Sequence, residues 1–215
     1  MIEAENNQLT GQEVKILIDR YQPKIKTFNR NEVILRSAKD NNLMGVIING
    51  MAYLATINLD YQKRIIDYYE ANDIFCSRII PVSNNDSYYI YANTKCTVAL
   101  IDYREFIKDC DEAMIKLKDY LITNCGRRSI IHIDILSQRT LRNKLLCYFD
   151  YCCKRKKSAS YTLPISLSEL ADYLAVDRSA MMRELSRMKD EKIVISTGRK
   201  ITLLTETSQL NFTDH

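Results

Sequence analysis

The sequence predicts an α+β chain in three parts: a small antiparallel β-barrel or roll (residues 1–110), a long amphipathic helix (111–136), and a helix–turn–helix with a β-hairpin wing (137–215). Three observations predict it. Short runs rich in Val, Ile, Tyr and Thr, bounded by Asn, Asp, Gly and Ser, fill residues 28–103. A stretch almost free of helix breakers follows Tyr103. Near the end, two capped helical patterns precede apolar alternation on both sides of Thr197-Gly198-Arg199-Lys200.

In order, "NEVILRS", "LMGVIINGMAYLATIN", "KRIIDYY", "YYIYAN" and "KCTVALID" read as strands. Asn49-Gly50 inside the second run is a strong hairpin signal. A short helix is expected near 104–109, then the long one. Its apolar positions Met114, Leu117, Leu121, Cys125, Ile131 and Ile135 are expected to form the seam of a homodimer, because so long a helix is hard to bury within one small chain. Gly126 weakens that helix by about 1 kcal/mol relative to Ala, and Arg127-Arg128 interrupt the seam. Ser137 is the expected N-cap of a further helix with Leu141, Leu145, Leu146 and Phe149 on its apolar face, closed by a solvated basic loop at 154–157.

The last third carries the chemistry. In "SLSELADYLAVDRSAMMRELSRMKDE", Ser166 and Glu169 form a capping box, Ala175-Val176 a turn, and Asp177 the cap of a second helix. That helix buries Met181, Leu185 and Met188 and turns Arg178, Ser179, Met182 and Arg183 outward. A basic first turn opposes the helix dipole, and an external anion offsets it. These four residues are the expected contacts to base edges in a DNA major groove, the arginines to guanine and Met182 to a thymine methyl. Ser166, Ser168, Arg199 and Lys200 are the expected phosphate contacts.

Charge agrees. Residues 1–136 carry 17 basic and 18 acidic side chains, and residues 137–215 carry 14 and 9, so the excess of cations lies beside the helix pair. With five glycines, no phosphate-cradling loop, no metal-ligand cluster and no Ser/His/Asp arrangement, an enzyme is not expected. The absence of a signal peptide, of CxxC pairs and of an 18-residue apolar run points to a cytoplasmic chain without metal or membrane span.

With these pieces in place, the sequence resembles the Crp/Fnr family of bacterial transcription regulators over nearly its whole length, most closely at "ISLSELADYLAVDRSAMMRELSRMKDEKIV". The resemblance implies a cyclic-nucleotide-binding-like β-roll (a double-stranded β-helix), a homodimer on near-palindromic double-stranded DNA, and RNA polymerase as a further partner. A small-molecule effector held between the roll and the long helix is one option, which the sequence does not identify; permanent competence for DNA, controlled by the protein's own abundance, is the other. The family's recognition pattern pairs two arginines with an acidic residue. Here Arg178 and Arg183 match, and Ser179 replaces the acid. Cyclic AMP is not expected, because Ser77 falls at the family's glutamate and Asp86 near its phosphate-binding arginine. No cofactor is predicted: no Cys precedes Cys76 to hold an iron–sulfur cluster, and His132 in the long helix reads as a seam or surface residue rather than a haem ligand. The alternatives are a sensor using Cys147, Cys152 and Cys153 or a non-nucleotide ligand, and a scaffold dimer that does not bind DNA.

Overall fold

The computed structural model describes residues 8–36, 40, 42–57, 63–78 and 88–204. Two compact units, 7–129 and 130–215, divide inside one continuous helix.

In the first unit eight strands form two four-stranded antiparallel sheets. They are β1 (Lys24–Phe28), β2 (Val33–Arg36), β3 (Leu43–Asn49), β4 (Ala52–Ile57), β5 (Lys63–Tyr69), β6 (Ile74–Cys76), β7 (Tyr88–Ala92) and β8 (Cys96–Asp102). Pairing is nested: β1 with β8, β2 with β7, β3 with β6 and β4 with β5. The chain is thus a folded ribbon rolled on itself, and the sheet orders are β1-β8-β3-β6 and β2-β7-β4-β5. This is the expected antiparallel roll.

One local expectation is corrected. Asn49-Gly50 does not close a hairpin, since β3 and β4 belong to different sheets. Gly50 does adopt the left-handed φ of +86° that the turn signal implies, and a Cβ there would sit 2.3 Å from the Lys95 carbonyl oxygen. Both faces of β3 are buried, however, so the strand pairs where its two faces find cover, and a bulge between Ile47 and Asn49 bends it toward the crossing. A turn motif sets the backbone angle without choosing the partner strand.

Alternation along the strands makes two cores. Leu35, Ile47, Leu54, Phe75, Ile90 and Val98 fill the space between the sheets. The outer face of the β1-β8-β3-β6 sheet is covered by α1 (Gly11–Tyr21), α2 (Tyr103–Lys108) and the start of α3 (Glu112–Ser137) through Leu17, Val46, Ile101, Phe106, Met114, Leu117 and Leu121. Helix α1 adds to the expected elements, and Thr10 and Glu13 form a complete capping box at its start.

The expected dimer seam is therefore corrected. Met114, Leu117 and Leu121 lie in this core and Cys125 packs against it. Ile135 is buried within the second unit and Ile131 is half-buried. The apolar sheet face needs cover, and the helix commits its most regular apolar stripe to that task. What α3 leaves outward is a second stripe, Ile115, Ile122, Ile130 and Ile133, exposed by 54, 66, 61 and 63%.

Ion pairs tie α1 and α2 down. Arg20 and Tyr21 donate to Asp109, which holds that carboxyl below its usual range, and Arg104 lowers Asp102 to about 2. A carboxyl depressed in the folded state stabilises above its unfolded pKa of about 4 and loses that contribution as pH falls through the folded value. The unfolding temperature should therefore fall as pH is lowered from 5 toward 2. In calorimetry at each pH, Asp109→Asn should flatten part of that slope.

In the second unit α4 (Leu141–Lys156) is capped by Thr140, which accepts from the Asn143 amide, and not by Ser137. The Ser137 hydroxyl donates back to the Asp134 carbonyl and finishes α3 instead. Leu145, Leu146 and Phe149 are buried as expected, whereas Leu141 is only half-buried. The stretch 154–157 is not a loop: α4 runs through Lys156 and turns at Lys157 with φ +50°. A short strand, β9 (Ser160–Thr162), then joins β10 (Val194–Thr197) and β11 (Lys200–Leu203) in a three-stranded sheet of order β10-β11-β9.

Candidate nucleic-acid interface

The helix pair is α5 (Leu167–Tyr173) and α6 (Arg178–Asp190). Both caps form as read: Ser166 accepts from the Glu169 amide while Glu169 accepts from the Ser166 amide, and Asp177 accepts from the Ala180 amide at 2.7 Å. The turn between them needs Ala175 at φ +52°, a left-handed conformation that a Cβ disfavours. Leu170, Ala171, Met181, Leu185 and Met188 are buried, which fixes the roll angle of α6 about its axis.

The opposite arc of α6 is solvent-facing. Arg178, Ser179 and Arg183 are exposed, and so is Met182 at 41%. Among the described residues neither arginine forms an ion pair, in contrast to Arg142 and Arg187. Two guanidinium groups on one face without an internal anion form a surface suited to an external one. Ser186 and Lys189 lie on the same arc, one and two turns beyond Met182, and are also exposed. They extend the expected surface, and the 3.6-residue period places them there.

The wing is a two-residue hairpin with Thr197 opposite Lys200, Gly198 at φ +58°, and Arg199 and Lys200 exposed. At the start of α5, the Ser166 oxygen is committed to its cap, which leaves Ser168 the less engaged hydroxyl.

Two supporting contacts were not legible beforehand. Arg142 at the start of α4 makes a bidentate pair with Glu191 (2.7 and 2.8 Å) and a 2.6 Å bond to Glu184, so it holds α6 at its middle and at its end. These bonds raise the Arg142 pKa and lower that of Glu191. Arg142→Ala should weaken DNA binding through misplacement of α6 while leaving base preference intact, and a titration on matched and mismatched duplexes checks both. His132 is neither seam nor surface. Its ring stacks on Tyr173 with centroids 4.1 Å apart, and Nε2 donates to the Tyr173 carbonyl at 2.9 Å, pinning the last turn of α5.

On the roll, Ser77 is buried and its hydroxyl donates to the Leu43 carbonyl. Arg78 is exposed and bonds Asn42, and Asp86 lies outside the described residues. Burial raises the thiols of Cys147 and Cys153 and holds them protonated near neutrality, while Cys152 is buried. Among the described residues no group of three or more His, Cys, Asp or Glu is placed to hold a metal ion, and no helix is long and apolar enough to cross a membrane.

Comparison with known proteins accords with this geometry. Residues 143–208 match the Crp-like helix-turn-helix domain. No curated protein matches the chain. Among solved structures it is similar to FixK2 from Bradyrhizobium japonicum (17% identity, 90% of this chain and 98% of that one, TM-score 0.69). It is also similar to a CooA mutant from Carboxydothermus hydrogenoformans (14%, 94% and 96%, TM-score 0.75). A third is a Crp/Fnr-family transcriptional regulator from Eubacterium rectale (14%, 92% and 91%, TM-score 0.61). At these identities the likeness establishes a shared fold across both units.

Proposed function

We propose, from the premise that residues 143–208 are a Crp-like helix-turn-helix domain in a chain with the Crp/Fnr fold, that this protein is a cytoplasmic transcription regulator reading near-palindromic DNA as a homodimer. One observation carries the reading: Arg178 and Arg183 stand exposed and, among the described residues, without ion pairs on the solvent arc of a helix whose other side is locked into the domain. In this reading α6 enters the major groove, with Arg178, Ser179, Met182 and Arg183 at base edges. Ser168, Arg199 and Lys200 meet phosphates, with Ser166 beside them.

The second copy pairs along α3 through Ile115, Ile122, Ile130 and Ile133, in place of the seam first expected. These side chains repeat at near-heptad spacing, and their exposure favours cover by an equivalent helix. Gly126 and Ser129 fall between them, where small side chains permit close approach. RNA polymerase is the further partner of such a regulator. Cyclic AMP is not its effector, since the hydroxyl of Ser77 stands in the glutamate's place and is already bonded to β3.

Selection of bound sequences from random duplex DNA tests this function. The expected product is an inverted repeat, bound with an affinity that falls steeply with salt as counterions are released. A pool without enrichment, or binding indifferent to sequence, would overturn it.

A further inference from the structure

The outward face of α6 has an uncharged centre. At about 100° per residue, Arg178 and Arg183 lie about 140° apart around the helix, and Met182 falls between them, about 40° from Arg178. Along the axis it stands about 6 Å beyond Arg178 and about 1.5 Å short of Arg183. Ser179 and Ser186, three residues before it and four after, complete the strip, and both are exposed. Among the described residues neither serine hydroxyl forms a hydrogen bond. Among the described residues of α4, α5 and α6, Met182 is the one large apolar side chain that is exposed. Met181, one residue earlier, is fully buried, so the packing of α6 on its domain does not call on Met182.

Carboxylates are kept off this strip. Asp177 is turned back on the Ala180 amide, Glu184 accepts from Arg142 and Arg187, and Glu191 is held by Arg142. Asp190, the last residue of α6, stands eight residues beyond Met182, about 12 Å along the axis.

The pyrimidines differ at two places in the major groove. Thymine shows an O4 acceptor and a C5 methyl, whereas cytosine shows an N4 amine donor and a bare C5–H. A thioether offers cytosine's amine only a weak acceptor, but it is flexible, polarisable and apolar, which suits a methyl group. The hydroxyls of Ser179 and Ser186 both donate and accept, and so favour neither pyrimidine. 5-Methylcytosine keeps the amine and adds the methyl, so it shares with thymine the one group that Met182 recognises. We propose that α6 reads a pyrimidine C5 methyl through Met182, between the guanines taken by Arg178 and Arg183, so that binding responds to cytosine methylation at that base pair. The order of preference there is thymine, then 5-methylcytosine, then cytosine. This rests on the DNA-reading function above and deepens it.

The test uses the full chain and the duplex recovered by selection. Each thymine of the half-site is replaced in turn by uracil, which pairs identically and lacks only the methyl. At one position the loss should be about fourfold per half-site, the scale of one buried methylene, and about fifteenfold with both half-sites changed. That position should lie between the two whose guanine preference Arg178→Ala and Arg183→Ala relax. A cytosine–guanine pair placed there should bind more weakly than its 5-methylcytosine counterpart. Met182→Ala should bind thymine and uracil duplexes alike, and likewise cytosine and 5-methylcytosine duplexes. Met182→Leu keeps an apolar side chain and should retain part of both differences. Because Met182 is exposed, neither variant should shift the melting temperature, which separates lost recognition from lost folding. An inverted repeat in which no thymine responds to uracil, or a Met182→Ala protein that still tells the two apart, overturns the inference and leaves the DNA reading standing. Failure to enrich any sequence overturns both.

Discussion

Ile122→Asp combined with Ile133→Asp should convert the protein to a monomer and cost at least about a hundredfold in affinity for the inverted repeat, the scale of lost bivalency. Fully burying an isoleucine is worth about 1.5–3 kcal/mol, and a two-fold axis counts each substitution twice. Placing unpaired carboxylates in the same seam adds a desolvation penalty. Both positions are more than 60% exposed in the single chain, so the folded protomer should tolerate the change. Light scattering on the purified variant reads the mass, and titration on a single half-site should show little loss. Retention of the dimer would place the interface elsewhere. The contrasting substitution Leu117→Asp should unfold the first unit, because Leu117 is 4% exposed inside its core.

Arg178→Ala or Arg183→Ala should each remove about 1–3 kcal/mol of base discrimination per half-site, which the dimer doubles. The change should appear as relaxed preference at particular positions of the selected sequence, with each variant affecting a different one. Lys200→Ala should weaken binding nearly uniformly and make its salt dependence shallower by about one phosphate contact per half-site. Neither arginine forms an ion pair among the described residues, so the domain's melting temperature should barely move. Identical consensus sequences from wild type and both variants would remove these residues from the reading surface.

The residues of α5, α6 and the wing declare themselves locally. A capping box needs only Ser166 and Glu169 three residues apart, an N-cap only Asp177 ahead of Ala180, and a tight wing turn only Gly198 between alternating strands. The outward face of α6 follows from the 3.6-residue period once Met181, Leu185 and Met188 are taken as buried. The same logic located most strands, because alternation and β-branched side chains are read within a few residues.

Other features depend on partners distant along the chain. Whether Asn49-Gly50 turns a strand back on its neighbour or sends it across to another sheet is decided by where β8 and β7 lie. Which apolar stripe of α3 faces the roll is decided by the uncovered face of the β1-β8-β3-β6 sheet, whose strands lie far from α3 in sequence. The partners of Arg128 and Arg142 lie 61 and 49 residues away in sequence, so no local pattern announces them. Short-range backbone preference and periodicity therefore determined, from the sequence alone, most of the elements and the outward face of α6. Burial of one surface against another, a long-range competition, was decided only by the tertiary structure: the crossing at Gly50, the outward stripe of α3, and the ion pairs that hold α3 and α6 in place.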